Sequence, residues 1–337
     1  MRNADRGPSS LTFTRREALT LGVGAFVVAS IPIAAHRRQT LVRRAVPVMG
    51  TIAEFAVVHR DPRQAHDAID AAIEELRRVA RLMTRVSATS EIGTANRLAA
   101  SRPVAVSAAT ARVLEEGLAW AHASAGAFDP SLGRAIVLWD VGRRREPPPD
   151  GAVRRLAGRG FFRAVELDTW RGRPVIRLAD PAAQLDLGGT AKGYGVDQAA
   201  AALRRHGVTQ AIVNVGGDLY ALGSAADGGP WTVGIRAPEH PERLAGSLEV
   251  QDAAVATSGD YLQYFLHRGR RYHHLLDPAT AEPRATPVRS VTVTAPTCVA
   301  ADAAATAVFG MAPERAARLL QARAPGARIV RTIATDA

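Results

Sequence analysis

The stretch Asp186-Leu187-Gly188-Gly189-Thr190-Ala191-Lys192-Gly193-Tyr194 lies near the middle of this 337-residue chain and reads as a strand end, a glycine turn and a helix start. Glycines let the backbone approach a ligand closely, and the N-terminus of a helix attracts an anion. Lys192 lies in the first turn of that helix, where its charge opposes the helix dipole. The stretch therefore indicates either an anionic partner, such as a phosphate, or a plain glycine turn with a solvent-facing lysine.

The composition around this stretch is that of a globular protein, with 47% hydrophobic and 22% charged residues. This excludes an intrinsically disordered or fibrous chain. Of the 43 Lys and Arg residues, all but Lys192 are arginine, which indicates a compositional bias and makes the single lysine a residue to explain. The single cysteine, Cys298, excludes an intrachain disulfide framework and any metal site built from several cysteines.

More than half of the net charge of +11 lies at the N-terminus, since residues 1–44 carry eight arginines against two acidic residues. A pair of arginines within residues 14–19 precedes an apolar run over residues 19–35. This pattern is typical of a twin-arginine export signal, with an ordinary buried helix as the alternative. The run is shorter than the ~20 residues of a membrane span.

The sequence thus predicts two segments. Residues 1–44 would be the export signal and a basic linker, and residues 45–337 would be one large domain. We expect export by the twin-arginine route to the periplasmic or extracytoplasmic face of the membrane, with membrane association through the N-terminal segment if the signal is not cleaved. The remaining positive charge is spread along the chain, so no nucleic-acid partner is expected.

Hydrophobic periodicity predicts a mixture of helices and short strands. Apolar residues recur at spacings of three and four over residues 64–83, which is typical of a helix. Further helices are predicted over residues 107–126, 191–205, 299–309 and 313–322. Strands are predicted over residues 41–58 (interrupted at 47–51), 164–167, 175–178, 184–187, 211–215, 231–235, 247–250, 272–276, 288–294 and 328–333. Because most strands follow one another without a helix between them, the pattern favours an α+β fold over a doubly wound sheet.

Two further turns and a histidine pair bring polar groups next to predicted strands. Residues 214–218 form a second strand followed by a glycine turn, and residues 257–261 place hydroxyl and carboxyl groups beside an apolar run. His273 and His274 adjoin another strand. Each feature alone is more typical of hydrogen-bonded scaffolding than of a catalytic site.

Asp302 and Thr306 are four residues apart in a predicted helix, so their side chains share one face. Two oxygen ligands on one face suit a hard cation such as Mg²⁺, which needs few protein ligands when phosphates supply the rest. The alternative is an aspartate stabilised by the helix dipole and a threonine bonded to its own helix. The common nucleotide-loop, zinc-protease and serine-hydrolase motifs are absent.

Taken in order, these segments resemble the family of FAD:protein FMN transferases, the ApbE-type flavin transferases. The resemblance covers roughly residues 45–325, and each motif is weak alone but specific in order and spacing. The matching segments are residues 49–51, 83 with 90–92, 127–131, 138–139, 186–189 with 191–193, 214–218, 256–261, 273–274 with 276–278, 290–293, and 302–303 with 305–306.

The resemblance implies an ApbE-like, T-fold-like domain of mixed and antiparallel sheets with packed helices. It also implies FAD as the substrate and a divalent metal, Mg²⁺ or alternatively Mn²⁺. The implied metal ligands are the Gly189 carbonyl, the Asp302 carboxylate and the Thr306 hydroxyl. The implied flavin contacts are Met49, Ala127, Phe128, Asp129, Asp186, Lys192 and Leu276.

The implied reaction transfers FMN from FAD to a Ser or Thr hydroxyl of an acceptor flavoprotein domain and releases AMP. Attack on a pyrophosphate needs charge neutralisation and in-line positioning more than a strong nucleophile. His274 is the candidate general base, and metal-activated deprotonation is the alternative. Two other functions stay open: a metal-dependent FAD pyrophosphatase and a non-catalytic FAD-binding protein.

The chain departs from the family pattern at one position. Many members carry a tyrosine three residues after the equivalent of Met83, where it stacks over the flavin as part of a lid. This chain has Val86 there, preceded by Arg85. At this position the chain therefore lacks the aromatic ring that stacks over the flavin in those members.

Overall fold

The computed structural model describes residues 26–28, 39–240 and 242–335. Its strands are β1 (Phe26–Val28), β2 (Thr40–Val48), β3 (Thr51–His59), β4 (Val104–Ala105), β5 (Val165–Trp170), β6 (Arg173–Leu178), β7 (Ala211–Val215), β8 (Asp218–Leu222), β9 (Trp231–Arg236), β10 (Leu244–Val250), β11 (Ala253–Gly259), β12 (Tyr264–His267), β13 (Arg270–His273), β14 (Leu276–Asp277), β15 (Glu282–Pro283), β16 (Val288–Ala295) and β17 (Arg328–Ala334). Its α-helices are α1 (Pro62–Met83), α2 (Glu91–Leu98), α3 (Ala108–Ala123), α4 (Gly133–Trp139), α5 (Asp150–Arg154), α6 (Ala191–Arg205), α7 (Cys298–Val308) and α8 (Pro313–Arg323).

Seven strands form an antiparallel sheet in the order β17-β16-β11-β8-β7-β3-β2. Val48 pairs with Thr51, so β2 and β3 are joined by the two-residue turn Met49–Gly50. Both turn residues have positive φ, 53° and 73°, which is the geometry that two-residue hairpins require and that glycine tolerates best. The turn places Met49 at the end of the sheet.

Helices α1, α6 and α7 cover one face of this sheet, and β9 with β10 covers the other. The N-cap of α1 is Asp61, whose carboxylate accepts the N–H of Arg63 at 2.8 Å. Such a cap stabilises a helix by about 1 kcal/mol. The apolar side of α1, including Ile69 and Ile73, is buried against the sheet, so the predicted amphipathic helix over 64–83 is confirmed.

Helices α6 and α7 lie unusually close together. A Cβ atom at Gly193 would stand 2.3 Å from the Cys298 carbonyl oxygen, so only glycine permits this approach. The Asp197 carboxylate of α6 accepts the N–H groups of Cys298 and Val299, at 2.7 and 3.0 Å, and thereby caps α7. Burial, opposed in part by these hydrogen bonds, raises the pKa of Asp197 to about 6.

A second core is built by helices α2, α3 and α4 and the small sheet β4-β6-β5. Trp139 is buried there and donates its indole N–H to the Ala281 carbonyl at 2.7 Å. The two cores meet at Leu275, which belongs to the first, and Leu276, which belongs to the second. A cleft opens along this junction.

The predicted α+β fold is confirmed, and α6 spans the residues that the periodicity predicts. The strand predicted over 184–187 is wrong, since only Gln184 makes an isolated bridge, to Leu132. The Asn96 side chain explains the difference: its amide group donates to the Leu185 carbonyl and accepts the Leu185 N–H, at 2.9 and 2.7 Å. The Asn96 side chain thus makes the backbone hydrogen bonds that a neighbouring strand would otherwise make.

The predicted strand over 272–276 is divided in two, because β13 ends at His273 and β14 begins at Leu276. The segment after α4 leads into helix α5, which begins at Asp150. Apart from β1, which pairs with β9, and residues 39–44, the predicted export segment lies outside the described residues. In the described part of the chain, every helix is too short or too polar to cross a membrane.

Candidate active site

The cleft between the two cores has a volume of about 1180 Å³. All eleven residues singled out by the sequence line it, although they come from segments spread over more than 250 residues. They are Met49, Ala127, Phe128, Asp129, Asp186, Gly189, Lys192, His274, Leu276, Asp302 and Thr306. The structure therefore brings the predicted set together in one place, while the role of each residue stays a prediction.

Lys192 is the electrostatic centre of the cleft. Its ammonium nitrogen lies 2.5 Å from Asp218 Oδ2 and 3.3 Å from Asp302 Oδ1. The two aspartates are only 3% and 4% exposed. Asp302 is held further by the N–H of Gly193, which donates to its Oδ2 at 3.0 Å. The close packing of α6 on α7 thus fixes a lysine and a carboxylate side by side.

Asp218 was not among the predicted site residues, although it ends the motif at 214–218. Burial and then the neighbouring charge of Asp302 raise the pKa of Asp218 well above its usual range, despite the opposing charge of Lys192. Burial alone would lower the pKa of Lys192, but the charges and hydrogen bonds of both aspartates outweigh it and raise that pKa. Two buried carboxylates face one ammonium, so a second cation next to them would favour the ionised form of both.

The residues around Asp302 are those that would hold such a cation. Helix α7 presents Asp302 and Thr306 on one face, and Gly189 lies opposite, because a Cβ there would approach the Thr306 methyl group at 3.5 Å. Among the described residues, no three His, Cys, Asp or Glu side chains are grouped to hold a metal. A carboxylate, a hydroxyl and a carbonyl suit a hard cation that keeps phosphate or water ligands, and the second buried carboxylate favours one.

The glycine turn is held open toward the cleft by Asp186. Its Oδ1 accepts the Gly188 N–H at 2.8 Å, and its Oδ2 forms an ion pair with Arg85. A Cβ at Gly189 would stand 2.9 Å from the Phe128 ring, so glycine allows the turn to pack against that ring. The turn and the loop carrying Arg85 are thereby joined across the cleft.

Asp129 supports the wall that carries Phe128. Its Oδ1 accepts the Ser131 N–H at 2.8 Å and the Ser131 hydroxyl at 2.5 Å, and its Oδ2 accepts the Phe162 N–H at 3.3 Å. Burial raises the pKa of Asp129 more than these hydrogen bonds lower it. Its carboxylate oxygens therefore already have partners, and its contribution is to shape the wall.

His274 lines the cleft, whereas His273 is scaffolding. His273 is buried and contacts the Arg284 carbonyl at 3.1 Å through Nε2, and its Nδ1 accepts the Leu275 N–H at 3.3 Å. His274 Nδ1 lies 3.3 Å from the Gln263 carbonyl oxygen. A carbonyl can only accept, so His274 carries its proton on Nδ1 and leaves Nε2 as a proton acceptor.

Burial lowers the pKa of both histidines to about 4, and the charge of Lys192 contributes in the case of His274. A histidine with so low a pKa is neutral at physiological pH. His274 is therefore able to take a proton there, which a protonated imidazole could not do.

Arg284 is a residue that the sequence did not reveal. Its guanidinium donates to the carbonyl oxygens of Ala127, Leu276 (3.3 Å) and Phe309 (2.5 Å) and lines the cleft. Burial lowers its pKa to about 10. The arginine therefore ties two predicted flavin-contact segments to the C-terminal end of α7. The partners of Arg284 are backbone carbonyls, which every residue has. No sequence pattern therefore indicated Arg284.

Val86 is 81% exposed at the cleft rim. Arg85, next to it, reaches inward and forms the ion pair with Asp186. The position where many family members have an aromatic lid residue is thus occupied by an exposed aliphatic side chain. The planar group nearest to Val86 in the sequence is the guanidinium of Arg85.

The cleft places a lysine and a glycine turn next to two buried carboxylates, an arrangement suited to an anionic ligand such as a phosphate. The family model described as the ApbE family matches residues 49–330 of this chain. The chain belongs to the ApbE family.

Individual relatives agree with this assignment. The chain is 36% identical over 292 residues to a FAD:protein FMN transferase of Treponema pallidum, covering 82% of this chain and 81% of the relative. It is 32% identical to a FAD:protein FMN transferase of Vibrio cholerae, covering 85% of this chain and 86% of the relative.

Solved structures of the family have the same fold. The ApbE protein of Thermotoga maritima matches with a TM-score of 0.77 and 28% identity, covering 88% of this chain and 97% of that one. The flavin transferase ApbE of Vibrio cholerae matches with a TM-score of 0.74 and 29% identity, covering 88% of this chain and 98% of that one. The expected ApbE-like architecture is confirmed.

Proposed function

We propose that this chain is a FAD:protein FMN transferase that moves FMN from FAD to a Ser or Thr hydroxyl of an acceptor protein and releases AMP, with a divalent metal. Relatives with 30% identity or more over most of their length carry the name FAD:protein FMN transferase. The observation that carries the proposal is the cluster of Lys192, Asp218 and Asp302 beside the glycine turn. This cluster provides the positive charge and the cation site that a pyrophosphate needs.

The bond changes are those of phosphoryl transfer. The acceptor oxygen attacks the phosphorus on the FMN side of the FAD pyrophosphate, and the bond from that phosphorus to the bridging oxygen breaks. The hydroxyl proton passes to a base, and AMP leaves with the bridging oxygen. The product carries FMN on the acceptor through a phosphoester, and no oxidant or reductant takes part.

Lys192 binds and orients the pyrophosphate in this scheme. Its ammonium is compact, carries several rotatable N–H donors and is held in place by Asp218 and Asp302. The raised pKa keeps it charged through the physiological range. Backbone groups of the glycine turn can approach the phosphates because residues 188 and 189 have no side chain.

The metal would be held by the Asp302 carboxylate, the Thr306 hydroxyl and the Gly189 carbonyl. When bound, it supplies charge neutralisation to the pyrophosphate. Mg²⁺ is the ion we propose, with Mn²⁺ as the alternative. Thr306 Oγ1 lies 3.3 Å from Ser258 Oγ, a contact that orients the threonine hydroxyl.

His274 is the base that we assign to the acceptor hydroxyl. Its Nε2 is the free acceptor, because Nδ1 is engaged with the Gln263 carbonyl. Its low pKa keeps it neutral before the acceptor arrives. Deprotonation by the metal is the competing route, and replacing His274 by Ala separates the two: loss of turnover supports the histidine, and retained turnover supports the metal.

The experiment for the main proposal is incubation of the purified chain with FAD, Mg²⁺ and extracytoplasmic proteins from the parent cell as the acceptor pool. We expect an FMN-sized mass addition on an acceptor and one AMP released per FMN transferred. Free FMN and AMP without any acceptor would indicate a FAD pyrophosphatase instead. Bound FAD that survives unchanged would indicate a flavin-binding protein and refute the proposal.

Asp302→Ala is the matched variant for the metal assignment. We expect it to lose metal-dependent turnover while keeping its circular dichroism spectrum. Turnover at the wild-type rate would contradict the assignment.

We also propose export by the twin-arginine route to the extracytoplasmic side, supported by the arginine pair within residues 14–19. Replacing both arginines by lysine and fractionating the cells tests that proposal separately.

A further inference from the structure

One rim of the cleft is the two-stranded hairpin of β12 and β13. Gln263, just before the hairpin, and His274, just after it, both line the cleft, and the His274 N–H donates to the Gln263 carbonyl at 3.2 Å. We propose that the outer edge of β12 binds the acceptor protein through an extended, acidic segment next to its hydroxyl. This inference rests on the proposed function, because it concerns the protein substrate of that reaction.

The hairpin register decides which backbone groups face outward. In an antiparallel pair, hydrogen-bonded and non-hydrogen-bonded residue pairs alternate along the strands. Gln263 and His274 form a hydrogen-bonded pair. The pairs that include Tyr264 and Leu266 are therefore non-hydrogen-bonded pairs. The N–H and C=O groups of Tyr264 and Leu266 therefore point away from β13. In the part of the chain that the structure describes, no strand is paired with that edge.

The same two residues present apolar side chains to solvent, since Tyr264 is 39% and Leu266 is 61% exposed. The alternate residues face inward: Phe265 stacks on Tyr272, which stacks in turn on Trp139. The hairpin is anchored through Phe265 and Tyr272 on this face and through the buried His273, opposite Tyr264, on the other. The edge of β12 stays open. An anchored strand of this kind accepts an added strand, with backbone hydrogen bonds for affinity and alternate side chains for selectivity.

The charge of the hairpin defines the partner further. The sixteen residues between Asp260 and Asp277 include no Asp or Glu, whereas Arg268, Arg270 and Arg271 lie within the hairpin. Arg268 and Arg270 are exposed at its tip, and the Arg270 guanidinium lies 3.9 Å from the Glu282 carboxylate. Arg271 is half-buried, with its guanidinium 3.7 Å from Asp260. A positive rim attracts acidic segments and disfavours basic ones. We therefore assign an acidic flank to the acceptor.

The dimensions agree with a segment that continues into the cleft. A strand rises about 3.3 Å per residue, so the four residues of β12 span about 13 Å from the cleft rim to the hairpin tip. A segment paired along this edge places about four residues outside the cleft and the next ones beside His274. The hydroxyl is then delivered to the cluster of Lys192 and Asp302 while its flank is held on the hairpin.

Two pairs of variants test the edge and the charge separately. Leu266→Pro removes the outward N–H, which the hairpin itself does not use, and Leu266→Thr is its control because it removes the leucine side chain but keeps that N–H. Arg268→Glu with Arg270→Glu reverses the charge at the tip. Arg328→Glu with Arg331→Glu makes the same change on β17, whose residues do not line the cleft.

The probes are two peptides of about 15 residues with one central threonine, flanked by Glu in one and by Lys in the other. Binding is measured by fluorescence anisotropy on FAD-loaded protein, and FAD affinity is measured separately. We expect the Glu peptide to bind about 10-fold or more tightly than the Lys peptide. Leu266→Pro and the charge reversal at the tip should each weaken binding of the Glu peptide about 10-fold. The two control variants should bind this peptide as the wild type does, and the FAD affinity of all variants should stay near the wild-type value.

Equal binding of both peptides, absence of binding, or wild-type binding by Leu266→Pro and the tip reversal would each overturn the inference. A change in monomer–dimer equilibrium in these variants, with unchanged peptide affinity, would identify the edge as a contact between copies and also overturn it. Failure of the proposed function looks different: the peptide pattern holds, but the wild-type chain transfers no FMN to any acceptor.

Discussion

Replacing Gly193 by Ala tests whether the contact between α6 and α7 sets the site. The new Cβ would stand 2.3 Å from the Cys298 carbonyl oxygen and 2.7 Å from Val299 Cα. Both partners are backbone atoms, so the helices must separate by about 1 Å to reach an ordinary contact distance. Overpacking of this kind costs about 1–3 kcal/mol, against which the better helix propensity of alanine returns about 1 kcal/mol.

The same displacement reaches the reacting groups. The Gly193 N–H donates to Asp302 Oδ2, and Lys192 is the preceding residue, so separation of the helices moves the ammonium away from its carboxylate. A displacement of about 1 Å in a catalytic arrangement can lower the rate about 100-fold. We expect Gly193→Ala to unfold at lower urea concentration and to lose about 100-fold in kcat for FMN transfer.

Gly195→Ala is the matched control on the same helix. Its Cβ would meet Leu76 Cδ2 at 3.1 Å and Met49 Sδ at 3.3 Å, which are ends of flexible side chains that can move. The gain in helix propensity is the same, so this variant should be at least as stable as the wild type and remain active. If both variants have the same urea midpoint and the same kcat, helix contact does not set the site and the reasoning fails.

Three further predictions follow from the site. Lys192→Arg should raise the KM for FAD and lower kcat, because a planar guanidinium pairs with one carboxylate rather than reaching both; normal kinetics would mean that the lysine is not required. Arg284→Met should weaken FAD binding about 10-fold, measured by flavin fluorescence, whereas Arg315→Met, which loses a contact with the Ser124 carbonyl away from the cleft, should not. If His274 is the base, its lowered pKa keeps it neutral down to about pH 4, so its protonation should lower kcat/KM only as the pH approaches 4; a fall nearer neutrality belongs to Asp218, whose pKa is raised, and the same fall near pH 4 in His274→Ala would refute the assignment.

Much of the fold could be predicted because its signals are local. The apolar spacing in α1 and the N-cap serine of α3, Ser107, mark helices in the sequence itself. The hairpin turn at Met49–Gly50 is equally local. Helices α2 and α4, with eight and seven residues, are missed because two turns of helix carry too little periodicity. The false strand at 184–187 has a different origin, since its backbone partner is a side chain 89 residues away, Asn96.

The site divides in the same way. Ordered motifs pointed to residues that line the cleft, because each motif combines a chemical group with a turn that exposes it. Asp218 ends one of those motifs, yet its place beside Lys192 depends on the pairing of β7 with β8 and on the docking of α6. Arg284 acts on backbone carbonyls and could be found only from coordinates. The order of the motifs therefore predicts which side chains belong to the site, whereas the contacts between those side chains depend on how the strands and helices pack.

The single lysine of an arginine-rich chain is explained by that packing. Three oxygens from three different segments approach its nitrogen: Asp218 Oδ2 at 2.5 Å, Asp302 Oδ1 at 3.3 Å and the Gly188 carbonyl at 3.5 Å. An ammonium can direct its three N–H donors to acceptors on different sides, whereas a guanidinium holds its donors in one plane and suits a single carboxylate. Arginine at position 192 would leave one buried carboxylate without its charge partner, which is costly. This cost explains why lysine is kept here in a chain whose other basic residues are arginine.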